Sequence, residues 1–150
     1  MKTITIHQPW ATLIALGEKK FETRSWATNY RGELAIHAGK KIDKKICQTE
    51  PFRTILAMYG YHVDNLPTGT IVAICRLEAC YSVLRTPNEK ALLENGTLNT
   101  LHRYPIEKQE MAFGDYTDGR FAWELGDVRR LPNPVPAKGR QGFWNWEPSS

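Results

Sequence analysis

The chain lacks any long apolar run. None of its hydrophobic stretches approaches the roughly 20 residues that cross a bilayer, and its opening, MKTITIHQPW, has no signal-like apolar stretch of about 7 to 15 residues. The expectation is a cytoplasmic protein that does not touch membranes. Cysteine is scarce. Cys47, Cys75 and Cys80 are odd in number and show no CxxC spacing, which argues against a disulfide framework and a zinc site and leaves buried free thiols. His7, His37, His62 and His102 have no metal-ligand spacing, no local motif resembles a Ser-His-Asp triad, and no cofactor or metal is implied. Repeats, linkers and low-complexity segments are also missing. With 41% apolar residues, 150 residues can build one core, and a single domain over 1–150, working as a monomer, is the expectation.

What the chain does have is positive charge, +4 in formal balance. That balance suits a polyanionic partner without requiring one. Lys40, Lys41, Lys44, Lys45 and Arg53 gather in one segment against Asp43 and Glu50, and read as the solvated face of a helix. Arg129, Arg130, Lys138 and Arg140 gather further on against Asp127, threaded through a loop of glycines and aromatics.

Periodicity gives a strand over Lys2 to Ile6, then a helix with Pro9 at its first position, Trp10, Leu13 and Ile14 as its stripe and Gly17 closing it. Strands are expected at 20–26 and at Gly32 to Ala38, and a helix near 50–59 with Thr49 as cap. Gly69 to Val83 reads as a central strand. Thr86-Pro87-Asn88-Glu89 has capping-box spacing and predicts a short helix running to Gly96. Thr97 to Asp118 reads as irregular, with a helical turn near Glu107 to Met111; GRFAWELGDVRRL reads as a strand, and NPVPAKGRQGFWNWE as a shaped loop with a short final strand. Strands interrupted by short helices, without regular βαβ alternation, predict an α+β fold, a small mixed β-barrel with short peripheral helices.

The segment HQPWATLIALGEKKFETRSW carries polar residues in unusual places. Alternation puts Phe21, Thr23 and Ser25 on one face of the strand and Glu22, Arg24 and Trp26 on the other, with Lys19 at the turn before them. Exposed ion pairs with an edge tryptophan would look the same and contribute little. Gln8 stands where Ser, Thr, Asp or Asn would cap better, and an amide offers donor and acceptor together, as the edge of a nucleobase requires. His7 fits a structural hydrogen bond or a ligand contact. Trp10 fits the core by its spacing.

ITIHQPWATLIALGEKKFETRSWATNYRGELAIHA resembles the N-terminal half of the ASCH domain, including a G-x-K-x-x-E-x-R signature at Gly17, Lys19, Glu22 and Arg24. HQPWA, RSW and YRG are close to the cointegrator branch of that family, and FAWEL and GRQGFWNW look like the end of its small stand-alone members. The resemblance implies a PUA-like fold with a cleft beside the first helix and a role on nucleic acid, RNA rather than DNA, or on a nucleoside or nucleotide. In that setting His7, Gln8, Lys19, Glu22, Arg24 and Trp26 are candidates for one wall of a basic cleft. Lys138, Arg140, Gln141 and Trp144 would form the second, with cations suited to phosphate and indoles to stacking.

A hydrolase acting on RNA or on a modified nucleoside is the alternative, with Lys19 and Glu22 carrying the chemistry. In the amidohydrolase relatives a Thr stands where this chain has Glu22, so a hydroxyl nucleophile does not carry over. For binding, Arg24→Ala is expected to weaken association with single-stranded RNA at low salt.

Overall fold

The computed structural model describes residues 1–87, 91–97 and 100–148, with the backbone alone described at 95–97 and 100–104. The expected α+β class holds, with eight strands and four short helices among the described residues. The residues cluster into two compact units. The first comprises Met1–Lys19, Glu33–Arg76 and Asp127–Ser150, and the second Lys20–Gly32 and Leu77–Gly126.

In the first unit, β1 (Lys2–Gln8) runs parallel to β3 (Gly32–Ile42), with Thr3 opposite Ala35, Ile4 opposite Ile36, Thr5 opposite His37 and Ile6 opposite Ala38. On its other side β1 takes the short antiparallel β8 (Phe143–Asn145), which sets Trp144 opposite Thr3. β4 (Thr70–Arg85) neighbours β3. A strand flanked on both sides and covered on both faces reads as a continuous buried run rather than an alternation. Leu34 through Gly39 are accordingly all buried, His37 among them. That burial is what the one-sided reading of Leu34 and Ile36 misses.

The first helix, α1 (Trp10–Ala15), buries all but its first residue, and Gly17, at φ +77°, closes it in the left-handed conformation that glycine adopts freely. Trp10 packs edge-on against Phe52, with ring centroids 6.1 Å apart. The expected helix near 50–59 is α3 (Phe52–Met58), and a further turn, α2 (Lys44–Cys47), precedes it, capped by Asp43 Oδ1 accepting from the Ile46 N–H at 3.0 Å. Thr49 does not cap α3; its hydroxyl donates to Ile46 O at 2.8 Å. Cys47 and Cys75 are buried free thiols, and Cys80, on the part of β4 that belongs to the second unit, is half-buried and free.

In the second unit, β2 (Phe21–Arg24) is antiparallel to the start of β7 (Phe121–Pro136), with Glu22 opposite Trp123. β5 (Ala91–Thr97) pairs antiparallel with Ser82–Arg85 of β4, and β6 (Thr100–Pro105) pairs with β5. The helix expected to run to Gly96 is therefore a strand over Ala91–Thr97; its capping residues Asn88 and Glu89 lie outside the described residues. A hairpin partner at Ser82–Arg85 wins over a local capping pattern. The helical turn expected near Glu107 to Met111 is α4 (Lys108–Phe113), whereas β6 falls in the part expected to be irregular. A small core of Val83, Ala91, Leu93, Tyr116 and Ala122 fills this unit, with Phe21, Tyr81, Ile106 and Met111 against it. β7 continues to Pro136, taking in Pro134 and Pro136, which the sequence reading assigned to a loop, and Asp127 within it has φ +47°. No helix is long and apolar enough to cross a membrane among the described residues.

Candidate nucleic-acid interface

In the first unit a cleft of about 940 Å³ opens where the segment after β7 passes the β1–β3 pair. Thr5, His37, Gly39, Lys40, Gly69, Pro136 and Ala137 line it, together with Lys138, Gly139, Arg140 and Gln141. Three of these side chains are cations, and none of the lining residues is Asp or Glu. Lys40, Lys138 and Arg140 make no ion pair among the described residues. By contrast Arg129, from the same C-terminal charge cluster, is drawn to Glu33 at 3.2 Å. Cations at a surface depression with no carboxylate to offset them create a positive potential that a bound anion would relieve.

The floor of the cleft follows from strand register. Thr5 and His37 are paired residues of β1 and β3, and their Oγ1 and Nδ1 atoms lie 3.1 Å apart. Trp144, opposite Thr3, leans along the sheet so that its Nε1–H donates to Thr5 Oγ1 at 3.0 Å. The indole also meets the His37 ring edge-on, with centroids 5.4 Å apart. The other imidazole nitrogen, Nε2, lies 2.7 Å from the carbonyl of Ala137, and the Ala137 N–H donates to Gly69 O at 3.0 Å. A carbonyl only accepts, so Nε2 carries the hydrogen and Nδ1 is the acceptor for the Thr5 hydroxyl. Burial favours that neutral ring and lowers the His37 pKa below 6.5, while the bond to Ala137 opposes the shift.

The residues expected at the site part company here. Lys138, Arg140 and Gln141 line the cleft, with Trp144 as part of its framework. Lys40, expected on a solvated helix face, is on β3 and lines it too. His7 is exposed and is not among the lining residues. Gln8 is fully buried: its Oε1 accepts from the Thr12 N–H at 2.9 Å, and its Nε2 donates to Thr12 Oγ1 and to Pro67 O, both at 2.7 Å. The amide that looked reserved for a ligand is the cap of α1 itself, reaching forward from the last position of β1. Lys19, expected on the wall of an open cleft, is 1% exposed.

Glu22, Arg24 and Trp26 belong to the second unit. The expected pairing on one strand face is present: Arg24 Nη2 donates to Glu22 Oε2 at 3.0 Å, and Glu22 Oε1 accepts from the Thr23 N–H at 3.1 Å. Trp26, past the end of β2, packs edge-on against Trp123 with centroids 4.8 Å apart. Glu110 Oε1 takes the Lys20 N–H at 2.5 Å. Tyr116 is buried, its hydroxyl has no hydrogen-bond partner among the described residues, and burial together with the charges of Glu110 and Glu22 pushes its pKa up.

The family model of the ASCH domain matches residues 4–133. The chain belongs to the ASCH domain family. This membership carries the PUA-like fold that the resemblance implied. The chain is also similar to "Activating signal cointegrator 1" of Homo sapiens and of Mus musculus, each at 34% identity over 144 residues, 94% of this chain and 21% of theirs. It thus spans about a fifth of the length of the curated relatives it matches. The match covers Lys40 and His37 on β3, whereas Lys138, Arg140 and Trp144 lie beyond residue 133, where the family model ends. His37 is the residue that sequence reasoning missed as part of a site. Its signal was there: a histidine inside the buried run LAIHAG needs polar partners, and those partners mark where the strand faces something other than apolar core.

Proposed function

We propose that this ASCH domain binds single-stranded nucleic acid, RNA in preference to DNA, by seating backbone phosphates in the cleft lined by Lys40, Lys138 and Arg140. The observation that carries the reading is the absence of any carboxylate among the lining residues of a cleft with three cations. Arg140 supplies a planar fork suited to phosphate oxygens, and the two lysines supply mobile point charges. Gln141, also at the cleft, adds an amide that can donate to and accept from a base edge. The preference for RNA comes from what the family resemblance implies.

Hydrolysis takes second place. Glu22, the candidate base, already accepts from Arg24 and from the Thr23 N–H, and both Glu22 and Lys19 are buried. Their burial gives an attacking water little access to either group.

The test is fluorescence anisotropy with a labelled single-stranded RNA at low salt. The expected result is binding that weakens in a Lys138→Ala, Arg140→Ala double variant with unchanged thermal unfolding. Equal affinity in that variant would move the interface elsewhere.

A further inference from the structure

The five backbone N–H groups from Lys138 to Gly142 donate to no other group among the described residues. They follow directly on Ala137, whose N–H and C=O are both held, by Gly69 and by His37. A run of free N–H donors beside uncompensated cations is the chemistry of an anion seat. A loop offers such donors usefully only if something fixes it, because ordering it at the moment of binding costs affinity.

The fixing element is a chain of hydrogen bonds that starts in the sheet. The Trp144 indole N–H donates to Thr5 Oγ1, the Thr5 hydroxyl donates to His37 Nδ1, and His37 Nε2–H donates to Ala137 O. Ala137 O can only accept and Nδ1 faces the Thr5 hydroxyl, so the imidazole is held as one tautomer. The contact is close as well as directional. A Cβ at Gly139 would lie 2.6 Å from His37 Cε1 and 2.7 Å from Thr5 Oγ1, so the loop backbone presses on the ring where no other residue fits.

Resting on the nucleic-acid reading above, we infer that the loop Lys138–Gly142 is the phosphate seat of the cleft and that His37 is its positioning residue. The imidazole does not touch the ligand in this arrangement. It holds Ala137, and thereby fixes the loop so that the side chains of Lys138 and Arg140, with those loop N–H groups that face the cleft, can meet one anion. The ligand chemistry is a phosphate group, whether an internal diester or a terminal monoester. A terminal monoester carries the larger charge and would draw more from the same donors.

The experiment follows the backbone amides of Lys138 to Gln141 by 1H–15N NMR in the full chain. The chain is titrated with three probes: inorganic phosphate, a trinucleotide RNA with a 5′-hydroxyl, and the same trinucleotide with a 5′-phosphate. The expected result is that these amides shift with either trinucleotide. The ratio of the two affinities then tells the diester from the terminal phosphate. His37→Ala should weaken binding about tenfold, and His37→Gln, which can keep a donor toward Ala137 O, should restore it to within about threefold. Gly139→Ala should imitate His37→Ala, by pushing the loop off the ring, without replacing any core side chain. Long-range 15N spectra of the wild type should show His37 with its proton on Nε2.

An Nδ1–H tautomer, or His37→Ala and Gly139→Ala both binding like wild type while Lys138→Ala and Arg140→Ala weaken, would overturn the positioning role and leave the cleft. If the lysine and arginine variants bind like wild type as well, or the wild type binds no trinucleotide, the nucleic-acid reading fails with it. Should His37→Ala not fold, Gly139→Ala and the tautomer decide the matter.

Discussion

His37 and Ala137 stand 100 residues apart in sequence and meet at 2.7 Å, an imidazole on the central strand holding the first residue of the C-terminal loop. Through this bond the fold of the first unit reaches the loop that brings Lys138, Gly139 and Arg140 to the cleft. The loop has no ladder of its own. Its shape is inherited from the sheet.

That bond gives stability a direction with pH. Folding lowers the His37 pKa below 6.5, chiefly through burial. Between the folded value and 6.5 the unfolded chain therefore binds more protons, so stability falls as pH falls through this range and the contribution is complete above 6.5. The charged groups at the same cleft, Lys40, Lys138 and Arg140, are all cations and do nothing to retain the proton. Urea midpoints measured from about pH 7.5 down to about pH 5 should decline in the wild type and decline less in His37→Gln. Parallel curves would assign the decline to other groups.

Gln8→Ala separates architecture from ligand contact. The substitution removes an acceptor for the Thr12 N–H and donors to Thr12 Oγ1 and Pro67 O inside a buried site. Losing a helix cap and stranding buried partners should cost about 2 to 4 kcal/mol in chemical denaturation. The RNA affinity of the folded fraction should stay within about twofold of wild type, because nothing on Gln8 is left to offer a base. A selective loss of affinity with normal stability would return Gln8 to the interface.

Arg24→Ala should act within the second unit. It takes the guanidinium from Glu22, whose side chain is only 10% exposed. With Arg24 itself partly exposed, a cost of about 1 to 2 kcal/mol is expected, below that of a fully buried pair. Adding Glu22→Gln should recover most of it, since an amide needs no counter-charge. A thermal midpoint that does not move in the single variant would mean that other groups hold the carboxylate.

Much of the strand framework could be read from alternation, because Lys2 to Ile6, Gly69 to Val83 and the FAWEL strand each show an apolar face with turn residues at their ends. The pairing of Glu22 with Arg24 also followed from spacing alone, since residues two apart share a face. Four features were not legible, for separate reasons. Ala91–Thr97 looked helical because a capping pattern is local, while its antiparallel partner is set by tertiary pairing. Gln8 looked available because cap rules consider the residue's own position, whereas its side chain reaches forward from a strand to the first turn. His37 was passed over because alternation assumes one wet face, and on β3 both faces are covered. The C-terminal wall of the cleft was visible as Lys138, Arg140 and Gln141, but that Lys40 stands with them depends on the β3 path, which no spacing reveals.

The most direct measurement is the salt dependence of RNA binding. If Lys40, Lys138 and Arg140 each neutralise one phosphate of a single strand, the logarithm of affinity should fall with the logarithm of salt at a slope near about −2 between about 50 and about 200 mM. The Lys138→Ala, Arg140→Ala variant should lose about 1.4 from that slope. A wild-type slope near zero, or an unchanged slope in the double variant, would contradict a phosphate-seating cleft at this position.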